Sequence, residues 1–152
     1  MTIDVLDRQI LGELLKDGRQ SHRQIAKKTG KSVVTVGQRI KNMEEEGIIT
    51  GHTALVDHQK LGYEITTISE VTVSKGRLLE VQREIAKLGN VCAVYDVTGI
   101  EDSIVISKFH NREELSVFTK TVLALPHVER TNTHVVLTTC KEDMRYPLLA
   151  TL

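Results

Sequence analysis

The stretch from Ser21 to Ser32 constrains this chain more than any other. Gln24 follows Ser21 at the spacing of a capping box, in which each side chain satisfies a backbone N–H that the first helical turn leaves without a partner. Ile25 and Ala26 supply the buried face before Gly30, so residues 21 to 29 read as a short helix. Gly30-Lys31-Ser32 leaves only a turn. Ser32 can cap a further helix in which Val33, Val36, Ile40 and Met43 share one side and which ends at Gly47. Upstream, Ile3, Leu6, Ile10 and Leu14 recur at spacings of three and four, with Leu11 and Leu15 widening the stripe. That predicts an amphipathic helix from about 4 to 17, ending at Gly18.

A short helix, a tight turn and a second helix with a polar outer face make a helix-turn-helix, whose second helix enters the DNA major groove. With Val36, Ile40 and Met43 as the buried seam, the opposite side carries Val34, Thr35, Gln38, Lys41 and Asn42. Val34 and Thr35 can offer methyl groups to thymine, and Gln38 can pair with an adenine edge. Lys31, Lys41, Arg23, Lys27 and Lys28 can hold phosphates. The charge distribution agrees. The chain has 20 Lys+Arg against 20 Asp+Glu, yet residues 16 to 41 hold eight cationic side chains against Asp17 alone, whereas residues 51 to 152 carry 11 basic and 13 acidic ones. A basic module on a mildly acidic body suggests one part that meets a polyanion and another with a different task. The candidate DNA-binding set is Ser21, Arg23, Lys27, Lys31, Ser32, Val34, Thr35, Gln38, Arg39 and Lys41. Glu44-Glu45-Glu46 reads as a solvated helix end turned away from DNA.

Several segments carry a resemblance: Leu6-Asp7-Arg8-Gln9-Ile10-Leu11, Asp17-Gly18-Arg19, Ile25-Ala26, Gly30-Lys31-Ser32, Arg39-Ile40, Glu44-Glu45-Glu46-Gly47-Ile48-Ile49 and Gly51-His52-Thr53-Ala54. Over most of residues 3 to 63 they resemble the winged-helix domain of the leucine-responsive regulators, the Lrp/AsnC or feast/famine family. The resemblance implies a DNA-binding domain over residues 1–50 and a linker strand over 51–64.

The second half changes character. Residues 65 to 73 are β-branched and tend to alternate, which predicts a strand. Leu78, Val81, Ile85 and Leu88 repeat at helical spacing until Gly89, residues 91 to 98 return to strand composition, and 103 to 109 pair with them across a longer loop. Asn111 can cap a helix carrying Leu115, Phe118, Val122 and Leu125, stopped by Pro126, and residues 133 to 139 read as the closing strand. The β-α-β-β-α-β order is the ferredoxin-like arrangement, so the expected class is α+β. A small domain of this kind has little core to spare, so its second sheet face calls for self-association.

Val97-Thr98-Gly99-Ile100-Glu101-Asp102 and Leu125-Pro126-His127-Val128 with Thr131, Thr133, Val135 and Val136 resemble the glycine loop and closing segment of the same family's ligand-sensing domain. The resemblance implies an effector-sensing and oligomerisation domain over 65–140, a C-terminal tail over 141–152, dimers that join into tetramers or octamers, and a pseudo-palindromic operator. It also implies an amino-acid pocket near Gly99, Ile100, Glu101, Asp102, Thr133 and His134. Asp102 can supply an anion for an ammonium group, and loop N–H groups can receive a carboxylate.

Other classes find little support. No nucleophile with its base, paired carboxylates or metal cluster has convincing spacing, since His127, His134 and Cys140 straddle a turn, and Gly30-Lys31-Ser32 lacks the preceding glycine and strand of a phosphate loop. No enzyme and no cofactor is therefore expected. Aromatics reach only 3%, too few for a base-stacking groove. There is no export signal and no run of 18 apolar residues. The two cysteines, Cys92 and Cys140, have no CxxC partner and read as buried free thiols in a reducing, cytoplasmic setting. The competing reading is a metabolite sensor or assembly protein whose N-terminal module contacts protein rather than DNA.

Overall fold

Asp4 opens the first helix. Its side chain accepts from the Asp7 N–H at 2.9 Å while Asp7 accepts from the Asp4 N–H at 3.1 Å, a capping box that starts α1 (Val5–Lys16). A computed structural model describes residues 2–145 and divides them into two units, one running to Leu55 and resuming at Lys141, the other Val56–Cys140.

In the first unit, α2 (His22–Thr29) and α3 (Val33–Glu45) follow α1, each capped as the sequence predicts, by Ser21 and Ser32. Gly30 ends α2 in the left-handed region at φ 66°, open to glycine without strain, and no heavy atom lies within 4 Å of where a Cβ would sit. Ile10, Ile25, Ala26, Val36, Ile40 and Met43 form the core, with Leu6, Leu11, Leu14 and Ile49 packed against it. Each fully buried side chain of this size contributes about 1.5–3 kcal/mol. Val33, expected on the buried side, is instead 46% exposed, at the first position of α3. Residues 51–64 form no strand, contrary to the expected linker strand: among the described residues, 51–56 make no backbone–backbone hydrogen bond and meet no neighbouring strand. The chain from Lys141 belongs to this unit rather than standing apart as a tail, with Arg145 Nη1 donating to the Leu15 carbonyl at 3.1 Å. The rest of the expected tail, 146–152, lies outside the described residues.

The second unit is a four-stranded antiparallel sheet, with β1 (Ile65–Val73), β2 (Val91–Asp96), β3 (Ser103–Phe109) and β4 (Val128–Val135) in the order β2-β3-β1-β4. The helices α4 (Leu78–Ile85) and α5 (Arg112–Leu123) cover one face through Val81, Ile85, Phe118 and Val122, packed on Val71, Val73, Val105 and Phe109. This is the expected β-α-β-β-α-β order. The closing strand begins at Val128, five residues before the expected 133, and ends at Val135 rather than 139. Its polar stretch Arg130 to Asn132 is held by pairing with Thr72 to Glu70 on β1, so the neighbouring strand overrides weak local propensity. The helix α4 stops short of Leu88 because Lys87 and Leu88 donate three residues back, to Glu84 and Ile85, in a tightened final turn. Strand β2 ends at Asp96 rather than 98. Both cysteines are exposed, not buried: Cys92 stands at the irregularity where the β2–β3 register shifts, and Cys140 follows the last strand. No helix among the described residues is long and apolar enough to cross a membrane.

Candidate DNA-binding face and sensing loop

The basic stretch sorts into cations that hold the fold and cations that do not. Arg39, a member of the candidate set, belongs to the fold. Its Nη1 lies 3.1 Å from both oxygens of the fully buried Asp7 and 2.6 Å from Asp4 Oδ2, tying α3 to the start of α1. The Asp7 N–H and then the Arg39 guanidinium hold the Asp4 carboxyl below its usual range, and the two carboxylates raise Arg39 in turn. Lys28 Nζ sits 2.5 Å from Glu13 Oε2 and Lys16 Nζ 2.9 Å from Glu13 Oε1, which with Gln20 lowers Glu13 to about 2 and joins α1 to α2. Arg19 pairs with Asp17, and Lys41 lies 3.6 Å from Glu45 in an exposed pair.

Three cations are left. Among the described residues Arg23, Lys27 and Lys31 are exposed and make no ion pair; Arg23 and Lys27 lie one helical turn apart on α2, and Lys31 stands in the turn before α3. Beside them α3 presents Val34, which is 82% exposed, with exposed Gln38 and Lys41 and half-buried Thr35 and Asn42. Ser21 and Ser32 have their hydroxyls engaged as helix caps. Gln38 Nε2 donates to Asn42 Oδ1 at 2.7 Å, an ordering contact the sequence did not reveal. Gly37 is a second unforeseen element: a Cβ there would sit 3.1 Å from His22 Nδ1, so its absence lets α3 pass close to the start of α2. The result is a set of exposed cations that make no ion pair among the described residues, next to a helix with exposed polar and apolar groups, the footprint of a duplex-binding surface.

The sensing loop is built differently. Gly99, at φ 137°, and Ile100, 91% exposed, form its tip. Glu101 is engaged by the Thr72 hydroxyl and the Arg130 guanidinium. Asp102 Oδ2 accepts from the Val73 N–H at 2.8 Å, while its backbone N–H donates to the Val71 carbonyl. Both carboxylates thus fasten the loop to β1 and β4, with Asp102 committing Oδ2 to the Val73 N–H. Thr133 and His134 do not join it. They pair with Ser69 and Ile68 in the middle of β1, several residues from the loop's contacts at Thr72 and Val73, and as strand neighbours they face opposite sides of the sheet. Thr133 Oγ1 meets Ser69 Oγ at 3.0 Å on the helix side. On the other side His134 lies 3.4 Å from Glu70, which Asn132 also holds at 2.9 Å; these two partners lower the Glu70 carboxyl. That second face also carries Ile68, Ile104, Ile106 and Tyr95, with Ile68 39% and Tyr95 45% exposed.

Comparison with known proteins gives the same division. Residues 3–50 match the family model for winged helix-turn-helix DNA-binding domains, and residues 66–146 match that of the Lrp/AsnC ligand binding domain. An uncharacterised HTH-type transcriptional regulator of Pyrococcus furiosus is 48% identical over 145 residues, 95% of this chain and 98% of the relative. The HTH-type transcriptional regulator FL11 of Pyrococcus abyssi is 36% identical over 148 residues, 97% of this chain and 98% of its own. The structure of Escherichia coli AsnC superposes with a TM-score of 0.87 at 26% identity, covering 94% of this chain and 97% of that one. The chain therefore belongs to the Lrp/AsnC family of DNA-binding transcriptional regulators.

Proposed function

We propose that this regulator reads a pseudo-palindromic duplex as a homodimer, with α3 in the major groove and Arg23, Lys27 and Lys31 on phosphates, and that an amino acid acting through the sensing unit modulates the binding. The observation that carries the DNA-binding part is the segregation of charge. The cations the fold does not use are gathered beside the exposed face of α3. The dimer follows from the apolar groups on the uncovered sheet face, which a second copy would bury, and larger rings of dimers would be tetramers or octamers. Two-fold symmetry then sets half-sites about 10 bp apart or a multiple of that. For the effector, the match to a ligand binding domain is the support, and the N–H groups of Gly99 and Ile100, which meet no partner among the described residues, suit a carboxylate. The reaction-free character of the family fits a cytoplasmic regulator that is no enzyme.

Selection of random duplexes on the purified full-length protein tests this reading. A two-fold symmetric consensus is expected, and Gln38→Ala should lose about 1–3 kcal/mol at one base position of it. An asymmetric consensus, or a Gln38 variant with unchanged preference, would contradict the groove placement. For the effector, a thermal-shift screen of the amino acids followed by gel shifts should yield one that both stabilises the protein and changes DNA affinity, with Ile100→Glu weakening the response.

A further inference from the structure

We infer that the first turn of α3 reads the 5-methyl group of thymine, and that Val34 is the residue that sets this specificity; the inference rests on the groove placement of α3 proposed above. Val34 is 82% exposed and Val33 46% exposed, so two β-branched apolar side chains reach solvent on the turn nearest Lys31, Val34 almost entirely. The neighbouring hydroxyls are engaged with each other. Ser32 Oγ accepts from the Thr35 N–H at 3.0 Å and lies 2.8 Å from Thr35 Oγ1, so each hydroxyl already has a partner within the turn. This turn therefore leads with methyl groups, while its two hydroxyls are tied to each other and to the helix cap.

The apolar part of that surface discriminates among base pairs in only one way. Every other feature at the major-groove edges is a hydrogen-bond donor or acceptor, and the sole apolar group of an unmodified duplex there is the thymine C5-methyl. One turn further along, Gln38 is held by Asn42 through one N–H, which leaves its carbonyl oxygen and second N–H for an adenine N6 and N7. The helix thus reads methyl first and amide second, while the flanking cations hold phosphates regardless of sequence.

The test uses the full-length protein and a duplex recovered by selection, with each thymine replaced singly by deoxyuridine, which removes the methyl group and leaves every hydrogen bond intact. Wild-type protein is expected to lose about fourfold in affinity at one thymine per half-site, the worth of one buried methyl at about 0.8 kcal/mol. Val34→Ala, whose exposed position spares the core, is expected to bind the thymine and uracil duplexes alike. Equal wild-type affinity for every uracil duplex would overturn the methyl reading while leaving DNA binding in place. A fourfold preference that persists in Val34→Ala would overturn the role of Val34. Failure to bind any duplex would instead sink the groove placement of α3 itself.

Discussion

The turn before α3 and the loop before β3 both carry charged residues beside a glycine, and they differ in whether those charges are engaged. Around Gly30, Arg23, Lys27 and Lys31 make no ion pair, although Lys28 next to Lys27 is bound to Glu13. Around Gly99, both Glu101 and Asp102 are held by β1 and β4. The first surface is prepared for a polyanion; the second is chiefly a fastening, open only at the tip formed by Gly99 and Ile100. Residue type alone does not make a binding group. A charge serves a ligand when the fold has left it unengaged.

The sharpest way to break that comparison is to remove a cation assigned to the fold. Arg39→Ala leaves the buried Asp7 carboxylate without its partner, and the N-terminal unit should lose about 3 kcal/mol, read by urea denaturation followed through helical circular dichroism. A loss below about 0.5 kcal/mol would return Arg39 to the candidate DNA contacts. Asp102→Ala removes the acceptor of the Val73 N–H and should cost the sensing unit about 1–3 kcal/mol, as reported by hydrogen exchange along β1. Retained protection at Val73 would mark Asp102 as free to meet a ligand after all.

A smaller effect concerns pH. Glu13 is lowered from 4.5 to about 2 by Lys28 and Lys16, so its contribution is complete above the unfolded value and is lost as pH falls from about 4.5 towards 2. With Lys28 half exposed, screening reduces that contribution to about 1–2 kcal/mol. Denaturation midpoints of wild type and Glu13→Gln should therefore converge in acid. Parallel curves across that range would remove Glu13 from the charges that hold α1 to α2.

Much of this was legible in the sequence, for identifiable reasons. The caps at Ser21, Ser32 and Asn111 and the seam of Val36, Ile40 and Met43 follow from contacts within one or two turns, which spacing reports directly. Elements fixed by distant partners were not legible. The first half of β4 is polar and is strand only because β1 lies beside it. The Arg39–Asp7 pair spans 32 residues, and a charge count sees only one more cation in a basic run. The two carboxylates of the glycine loop look available in sequence, yet their partners are a backbone N–H and side chains of β1 and β4, 29 residues away. Thr133 and His134 read as one site, but adjacent strand residues face apart.

The salt dependence of DNA binding tests the central claim most directly, because it counts phosphate contacts one cation at a time. Affinity for one duplex is measured from low to moderate salt for wild type, Lys31→Ala and Lys28→Ala. The slope of log affinity against log salt should fall in magnitude by about one for Lys31→Ala and stay at the wild-type value for Lys28→Ala, whose charge faces Glu13. Equal slopes for wild type and Lys31→Ala, or a reduced slope for Lys28→Ala alone, would contradict the division between cations that hold the fold and cations that hold DNA.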